Sequence, residues 1–366
     1  MRRARRLRPD VAVHLYEPSD GGLDRVAILL ANGFRARGLN TELWLAKRDG
    51  PNARLIHPDL PVRLLSGNGR GRGVALATQL PKLRRAVWSI QPRVLLSAGN
   101  QSNLPAALAC LGTSSAAVGK VTNPIVRPEQ GEVAGAIRRR RFAATARLSR
   151  LTLMLSEPDA EGLRCDASDA NVSFVHNPYV TPQMLALGEG RQPRDGPTQL
   201  LSIGRLHPQK DPLTLVAALA KLKEREWRLT FVGDGPLRRE VEETAARQGI
   251  LARLTFAGFA NPLPHFAASD ALVLSSRWEG LPAVALEALA CGLPLAVTDC
   301  SPGLSALVRT LDLPKPVPVG DAHALAGAIA NLLDRPRDPA PLVTIARGWE
   351  VDAAIDHHLR LLAPFL

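Results

Sequence analysis

Short apolar runs alternate along this chain with longer segments whose apolar positions recur at helical spacing. In the first half, runs at residues 11–16, 41–46, 94–98, 116–121, 151–155 and 172–175 predict a six-stranded sheet. Between the first two, Leu23, Val26, Ala27, Leu30 and Phe34 mark one face of a helix over residues 23–37. In the second half, runs at residues 200–203, 229–232, 254–257, 271–274 and 295–297 predict five further strands. The intervening segments are long enough for helical crossovers, which parallel strands require. The pattern predicts an α/β fold, with no internal repeat beyond the alternation itself.

A connector rich in Pro, Gly and charge, residues 187–198, separates the halves. At 366 residues the chain is long for one core and natural for two domains of about 150–180 residues each. The expected division is residues 1–186, residues 187–348 and a closing helix over residues 349–366. No stretch approaches the ~20 uninterrupted apolar residues that would span a bilayer. Residues 1–10 are basic, but a polar strand-like segment follows them instead of a signal-peptide apolar core, so the expected residence is cytoplasmic. Four cysteines, Cys110, Cys165, Cys291 and Cys300, lack metal-type spacing and are expected as reduced, mostly buried thiols.

A net charge of +12 points first to polyanionic partners. No helix-turn-helix, zinc-finger or RNA-binding sheet signature accompanies it, and aromatics are scarce, so nucleic acid is not expected. Arginines cluster at Arg2 to Arg8 and at Arg138, Arg139, Arg140 and Arg141. The second cluster falls in a predicted helix that carries Val133, Ile137, Ala144 and Leu148 on an apolar face. Such a helix either packs in the core with its basic face solvated, or lies against anionic lipid at the inner face of a plasma membrane.

Candidate chemistry concentrates at strand ends of the second half. Glu279 follows the run at 271–274, Gly280, Leu281 and Pro282 turn the chain, and Glu287 comes on the second turn of the helix that Pro282 is expected to open. Two Glu at this spacing could be ordinary surface positions, but the upstream context sets them apart. Ile203-Gly204-Arg205-Leu206-His207-Pro208-Gln209-Lys210 places two fixed cations at another strand end, and Phe231-Val232-Gly233-Asp234-Gly235-Pro236-Leu237 repeats the layout. Open parallel sheets bind ligands at these ends, where free helix N–H groups favour hydroxyl-rich or anionic molecules. Basic, glycine-rich and acidic turns together suit a ligand that carries both phosphate and hydroxyls.

These three segments, in this order, resemble glycosyltransferase family 4 (glycosyl transferases group 1), strongest over residues 200–298. The resemblance implies the GT-B fold: two doubly wound Rossmann-like domains facing a deep interdomain cleft, with the C-terminal helix crossing back to the first domain. It implies that Arg205 and Lys210 hold a donor diphosphate, Glu279 the sugar hydroxyls and Glu287 the nucleotide ribose. Gly204, Gly233, Gly280 and Leu281 become donor contacts by the same matching, and Gly21-Gly22 fits the family's early glycine-rich loop, which approaches the donor phosphate or the acceptor, so both are donor-binding candidates. The implied reaction is retaining transfer from a nucleotide-diphosphate sugar, UDP by default, by front-face attack through an oxocarbenium-like state. No Asp-x-Asp pair occurs, so no metal or other cofactor is expected.

The first half departs from the family in one respect. Ala116-Ala117-Val118-Gly119-Lys120-Val121-Thr122-Asn123-Pro124 reaches the region where many members carry a His, without one. Thr122 or Asn123 is the candidate replacement, and Asn100, in the polar loop of residues 99–103, the candidate acceptor contact. His207 reads as a turn residue, and His176-Asn177-Pro178 as an interdomain hinge. The acceptor is expected to be a glycan or a polyprenyl-linked saccharide of cell-envelope polysaccharide assembly. A sugar-nucleotide epimerase of the same fold, or a non-catalytic nucleotide-sugar-binding protein, are the alternatives.

Overall fold

The computed structural model describes residues 8–19, 21–65, 72–126, 130–335 and 337–366, with residues 72–78 described as backbone. Arg2 to Leu7 and Asp20 therefore lie outside the described residues. The chain runs β1 (Val11–Leu15), α1 (Gly22–Ala36), β2 (Thr41–Leu45), β3 (Val62–Leu64), α2 (Arg72–Ile90), β4 (Val94–Ser97) and α3 (Asn103–Cys110). It continues with β5 (Ala116–Lys120), α4 (Glu132–Leu148), β6 (Leu151–Met154), α5 (Glu157–Asp166), β7 (Val172–Phe174) and α6 (Pro182–Glu189). Next come β8 (Thr198–Ile203), α7 (Pro212–Ala220), β9 (Trp227–Val232), α8 (Arg238–Arg247), β10 (Leu254–Phe256), α9 (Pro262–Ala268) and β11 (Ala271–Leu274). The last elements are α10 (Ala283–Ala290), β12 (Leu295–Val297), α11 (Pro302–Val308), α12 (Ala322–Asp334), α13 (Pro339–Ala346) and α14 (Val351–Leu362).

The chain divides into two compact units, Met1–Pro178 with Val351–Leu366, and Tyr179–Glu350. In the first, seven parallel strands take the order β3-β2-β1-β4-β5-β6-β7. The sequence predicts six of them. The seventh, β3, is a three-residue, half-exposed edge strand after Pro61, too short and too polar to form an apolar run. All five strands predicted for the second unit form one sheet, β10-β9-β8-β11-β12. In both sheets the order reverses beside the first strand, at β1/β4 and at β8/β11, and ligands of open α/β sheets sit outside the strand ends at such points. β1, β4, β5, β6, β11 and β12 are buried along their whole length, as sheets covered by helices on both faces require.

The last helix is part of the first unit. Arg37 at the end of α1 bonds Asp352 (3.0 Å) and Asp356 (2.5 Å) on α14. A Cβ at Gly33 would fall 2.2 Å from Ile355 Cδ1, so glycine lets the two helices approach. On β5, buried Lys120 reaches buried His358 of α14, Nζ to Nε2 2.9 Å.

The unit boundary falls after Pro178, ahead of α6, whereas composition places it at residues 186/187, where the 187–198 connector begins within α6. The reason is anchoring. The Arg191 guanidinium, in that connector, donates to the carbonyls of Cys291 (2.8 Å), Ser269 (2.7 Å) and Phe266 (2.8 Å). On α6, a Cβ at Gly188 would sit 2.3 Å from the Ala290 carbonyl oxygen and 2.9 Å from Gly292 N. Because those atoms are backbone, Gly188→Ala is expected to destabilise the second unit by about 1–3 kcal/mol, read by chemical denaturation. An unchanged transition would mean that α6 does not pack this closely.

The helix α4 corrects one expectation. Its buried residues are Gly135, Phe142, Ala143, Thr145 and Ala146, whereas Val133, Ile137 and Leu148 are 75%, 63% and 40% exposed. The apolar stripe read from the sequence points away from the core.

Candidate active site

The second unit builds its candidate site where β8 and β11, paired at Ala271↔Leu200 and Leu272↔Leu201, release their C-terminal loops side by side. After β8 the chain turns at Gly204 (φ +154°), where a Cβ would come 3.2 Å from Lys210 Cε. His207 closes the turn: its carbonyl accepts from Lys210 N (2.8 Å) and Asp211 N (3.2 Å), and its Nδ1 accepts from Gln209 N (3.2 Å). Asp211 then adopts a left-handed conformation (φ 46°, ψ 55°) and caps α7, accepting from Thr214 N at 3.3 Å. A left-handed Asp carries backbone strain, here offset by the cap and by an ion pair from Arg277 at 3.2 Å.

This loop is stitched directly to the one after β11. Ser275 Oγ donates to the Lys210 carbonyl (2.9 Å), Arg277 N to the Gln209 carbonyl (2.8 Å), and Gln209 Nε2 to the Trp278 carbonyl (3.1 Å). Lys210 Nζ donates to Glu279 Oε1, closing an ion pair between the two motifs. Glu279 is 8% exposed, and its N–H donates to the Cys300 carbonyl (2.9 Å), fixing the carboxylate's origin. Ser301 Oγ donates to the Gly280 carbonyl, holding the turn that leads to α10. Pro282 takes the N-cap position of α10, one residue ahead of where the sequence suggests, and Glu287 follows on the second turn, 6% exposed.

The glycine motif after β9 supplies the third side. A Cβ at Gly233 (φ +125°) would overlap the Gly204 carbonyl oxygen at 2.2 Å, so both loops need glycine to pass. Leu206 N donates to Asp234 O (3.1 Å) and Leu237 N to Leu206 O (3.0 Å), tying this motif to the basic loop. Arg205 stays exposed and, among the described residues, has no carboxylate partner. The arrangement offers one unpaired guanidinium, one ammonium bridged to a carboxylate, a second buried carboxylate and the N–H groups at the start of α10. That combination can bind a diphosphate and hydroxyls together.

Cys300, beside Glu279, is buried, and burial pushes its thiol up to about 12, which disfavours the nucleophilic thiolate. Among the described residues no three His, Cys, Asp or Glu are placed to hold a metal ion. Sequence reasoning missed Gln209, Ser275, Arg277 and Ser301, which position the named residues. Their only signal was adjacency to the motifs, since hydrogen bonds across 20–70 residues leave no periodic trace.

In the first unit, Gly21 is the N-cap of α1 and Gly22 its first residue, with open space where a Gly22 Cβ would lie. Asn100, Thr122 and Asn123 come together at the ends of β4 and β5. Asn100 Oδ1 accepts from Thr122 N (2.7 Å) and Asn100 Nδ2 donates to Asn123 O (3.0 Å). The Asn100 amide thus joins two loops.

Residues 197–335 match the family described as Glycosyl transferases group 1. The chain is 31% identical over 221 residues to the 2-deoxystreptamine glucosyltransferase of Streptomyces kanamyceticus, covering 56% of this chain and 52% of that protein. It is 33% identical over 203 residues to LpsE of Rhizobium meliloti, a lipopolysaccharide core biosynthesis glycosyltransferase, covering 52% and 58%. The chain therefore spans little more than half the length of these relatives. Among solved structures, Anabaena HepE in complex with UDP superposes with a TM-score of 0.76 at 17% identity, covering 97% of this chain and all of that one. At that identity the likeness establishes the GT-B fold.

Proposed function

We propose, from the match of residues 197–335 to the glycosyl transferases group 1, that this chain is a retaining, metal-independent glycosyltransferase. Its donor is a nucleotide-diphosphate sugar, with UDP as the nucleotide. Its acceptor is a glycan or lipid-linked saccharide of cell-envelope polysaccharide assembly. The observation that carries this reading is the direct stitching of the basic loop after β8 to the acidic loop after β11. UDP as nucleotide is supported by HepE, whose structure holds it. The acceptor class is supported by LpsE, which is named for lipopolysaccharide core biosynthesis.

In this reading Arg205 and Lys210 receive the diphosphate, Glu279 orients sugar hydroxyls and Glu287 takes the ribose. The bond from the anomeric carbon to the diphosphate oxygen breaks first, leaving an oxocarbenium-like sugar. The acceptor hydroxyl attacks from the face the diphosphate leaves, and its proton passes to a departing phosphate oxygen. Configuration is retained and no enzymic nucleophile is used. Charge that develops on the leaving group meets two fixed cations, which can replace a metal ion. Acceptor recognition falls to the first unit, around the loops that Asn100 joins to Thr122 and Asn123.

Calorimetric titration of UDP, GDP and TDP in EDTA tests the donor half. We expect one nucleotide, UDP, to bind in the micromolar range, and Glu287→Ala to weaken it by about tenfold or more, since ribose hydroxyls lose a buried, charged acceptor. If a folded sample binds none of the three, the donor assignment falls.

A further inference from the structure

The helix α4 carries five arginines and one acid, Glu132. Its burial pattern leaves an amphipathic surface facing outward. With about 100° of rotation per residue, Val133, Ile137, Ala144 and Leu148 fall within about 60° of one another, and all four are exposed. By the same rotation Arg140 and Arg147 flank this stripe on one side and Arg141 on the other, while Arg138 and Arg139 lie further round the helix. A helix packed in the core would bury its apolar stripe; here Phe142 and the small residues face the core instead. A helix evolved only for solubility has no use for Val133 and Ile137 at 75% and 63% exposure between Arg140 and Arg147 on one side and Arg141 on the other.

Beside the stripe lies a recess of about 270 Å³ between α4 and the end of α5, walled by Arg139, Arg140, Arg147 and Asp166 over Ala136 and Ala143. Arg147 is held in place there, with Nε donating to Asp169 (2.7 Å) and Nη2 to the Asp166 carbonyl (3.2 Å). Arg139 and Arg140 have no carboxylate partner among the described residues. Three guanidiniums against the Asp166 carboxylate leave the recess positive, and small Ala floors leave room for a phosphate among them.

We propose that the outward face of α4 is a docking surface for an anionic phospholipid bilayer. Val133, Ile137 and Leu148 enter the boundary between headgroups and acyl chains, and the flanking arginines extend to lipid phosphates, one of which occupies the recess. An interfacial helix combines these two features, an apolar stripe and basic flanks. A nucleic acid or a soluble polyanion would use the arginines and gain nothing from the stripe. The surface is independent of the donor site, and its failure would leave the glycosyltransferase reading untouched.

The test is flotation of the full chain with vesicles of phosphatidylcholine containing about one quarter phosphatidylglycerol, against phosphatidylcholine alone. Wild type is expected to float with the anionic vesicles only. Arg139→Glu with Arg140→Glu should lower the bound fraction by about tenfold or more, and Val133→Asp with Ile137→Asp should do the same. All four positions are exposed, so UDP titration should be unchanged in each variant. Binding that survives the Val133 and Ile137 changes would overturn insertion, and binding that survives the arginine reversals would place the contact elsewhere. No binding by wild type, or preferential binding of a DNA duplex, would overturn the proposal outright.

Discussion

Replacing Lys210 by alanine is expected to lower turnover of the nucleotide sugar, read as release of free UDP, by about two to three orders of magnitude. Two losses combine. The cation that would meet charge on the departing diphosphate is gone, and that interaction grows as the bond breaks. In addition Glu279, 8% exposed, loses its ion-pair partner and faces an anionic ligand with an uncompensated charge. UDP affinity should therefore drop along with turnover. The double variant Lys210→Ala with Glu279→Gln separates the two effects. It should recover much of the UDP affinity, because the stranded charge is removed, and recover little of the turnover. Effects of two residues in direct contact should be strongly non-additive in binding. If Lys210→Ala kept turnover within a few-fold of wild type, Lys210 would be a structural partner of Glu279 and no part of the chemistry.

That Lys210 and Glu279 meet could be anticipated only in outline. Each motif was legible because a strand end that must approach a ligand needs glycine, and a phosphate needs fixed cations. Gly204 and Gly233 bear this out physically, since a side chain on either would run into Lys210 or the Gly204 carbonyl. The pairing was not legible, because it rests on β8 and β11 being neighbours in the sheet, and strand order is not written in either strand. Periodicity found every strand of the second unit, where each run is mostly apolar. It missed β3, an edge strand with only one face to bury. It also located an apolar stripe on α4 without telling which way the stripe faces. Three-dimensional packing decided that, through Phe142 and the small residues opposite. Arg191 was hidden for a related reason. It lies in a stretch whose composition reads as linker, yet its three carbonyl partners make that stretch part of the second unit.

The same limit hid Lys120, which looks like the polar end of a strand and is in fact sealed against α14. Among the described residues its only polar side-chain partner is His358, whose Nδ1 donates to the Ala354 carbonyl at 2.8 Å, leaving Nε2 to accept from Lys120. Burial lowers Lys120 to about 7 and holds His358 well below the ordinary imidazole range. In the unfolded chain Lys120 returns to about 10.4. Between these values the unfolded state carries a proton that the folded state does not, so stability from this group rises with pH from about 7 toward about 10.4. Below about 7 both states are protonated, and the folded state bears the full cost of a buried ammonium, on the order of a few kcal/mol. Lys120→Met keeps a long side chain in the same space and removes that charge. We expect it to stabilise the first unit near pH 7 by roughly 1–3 kcal/mol, after about 1 kcal/mol lost by leaving His358 Nε2 without a donor. The difference between variant and wild type should be largest below pH 7 and shrink steadily as pH rises. Denaturant titrations of both proteins at pH 6, 7.5 and 9.5 measure this directly, and taking the difference cancels groups common to both. A constant difference across that range would show that Lys120 stays charged in the folded chain. A loss of stability at every pH would show that the ammonium contributes more through its hydrogen bond to His358 than its burial costs.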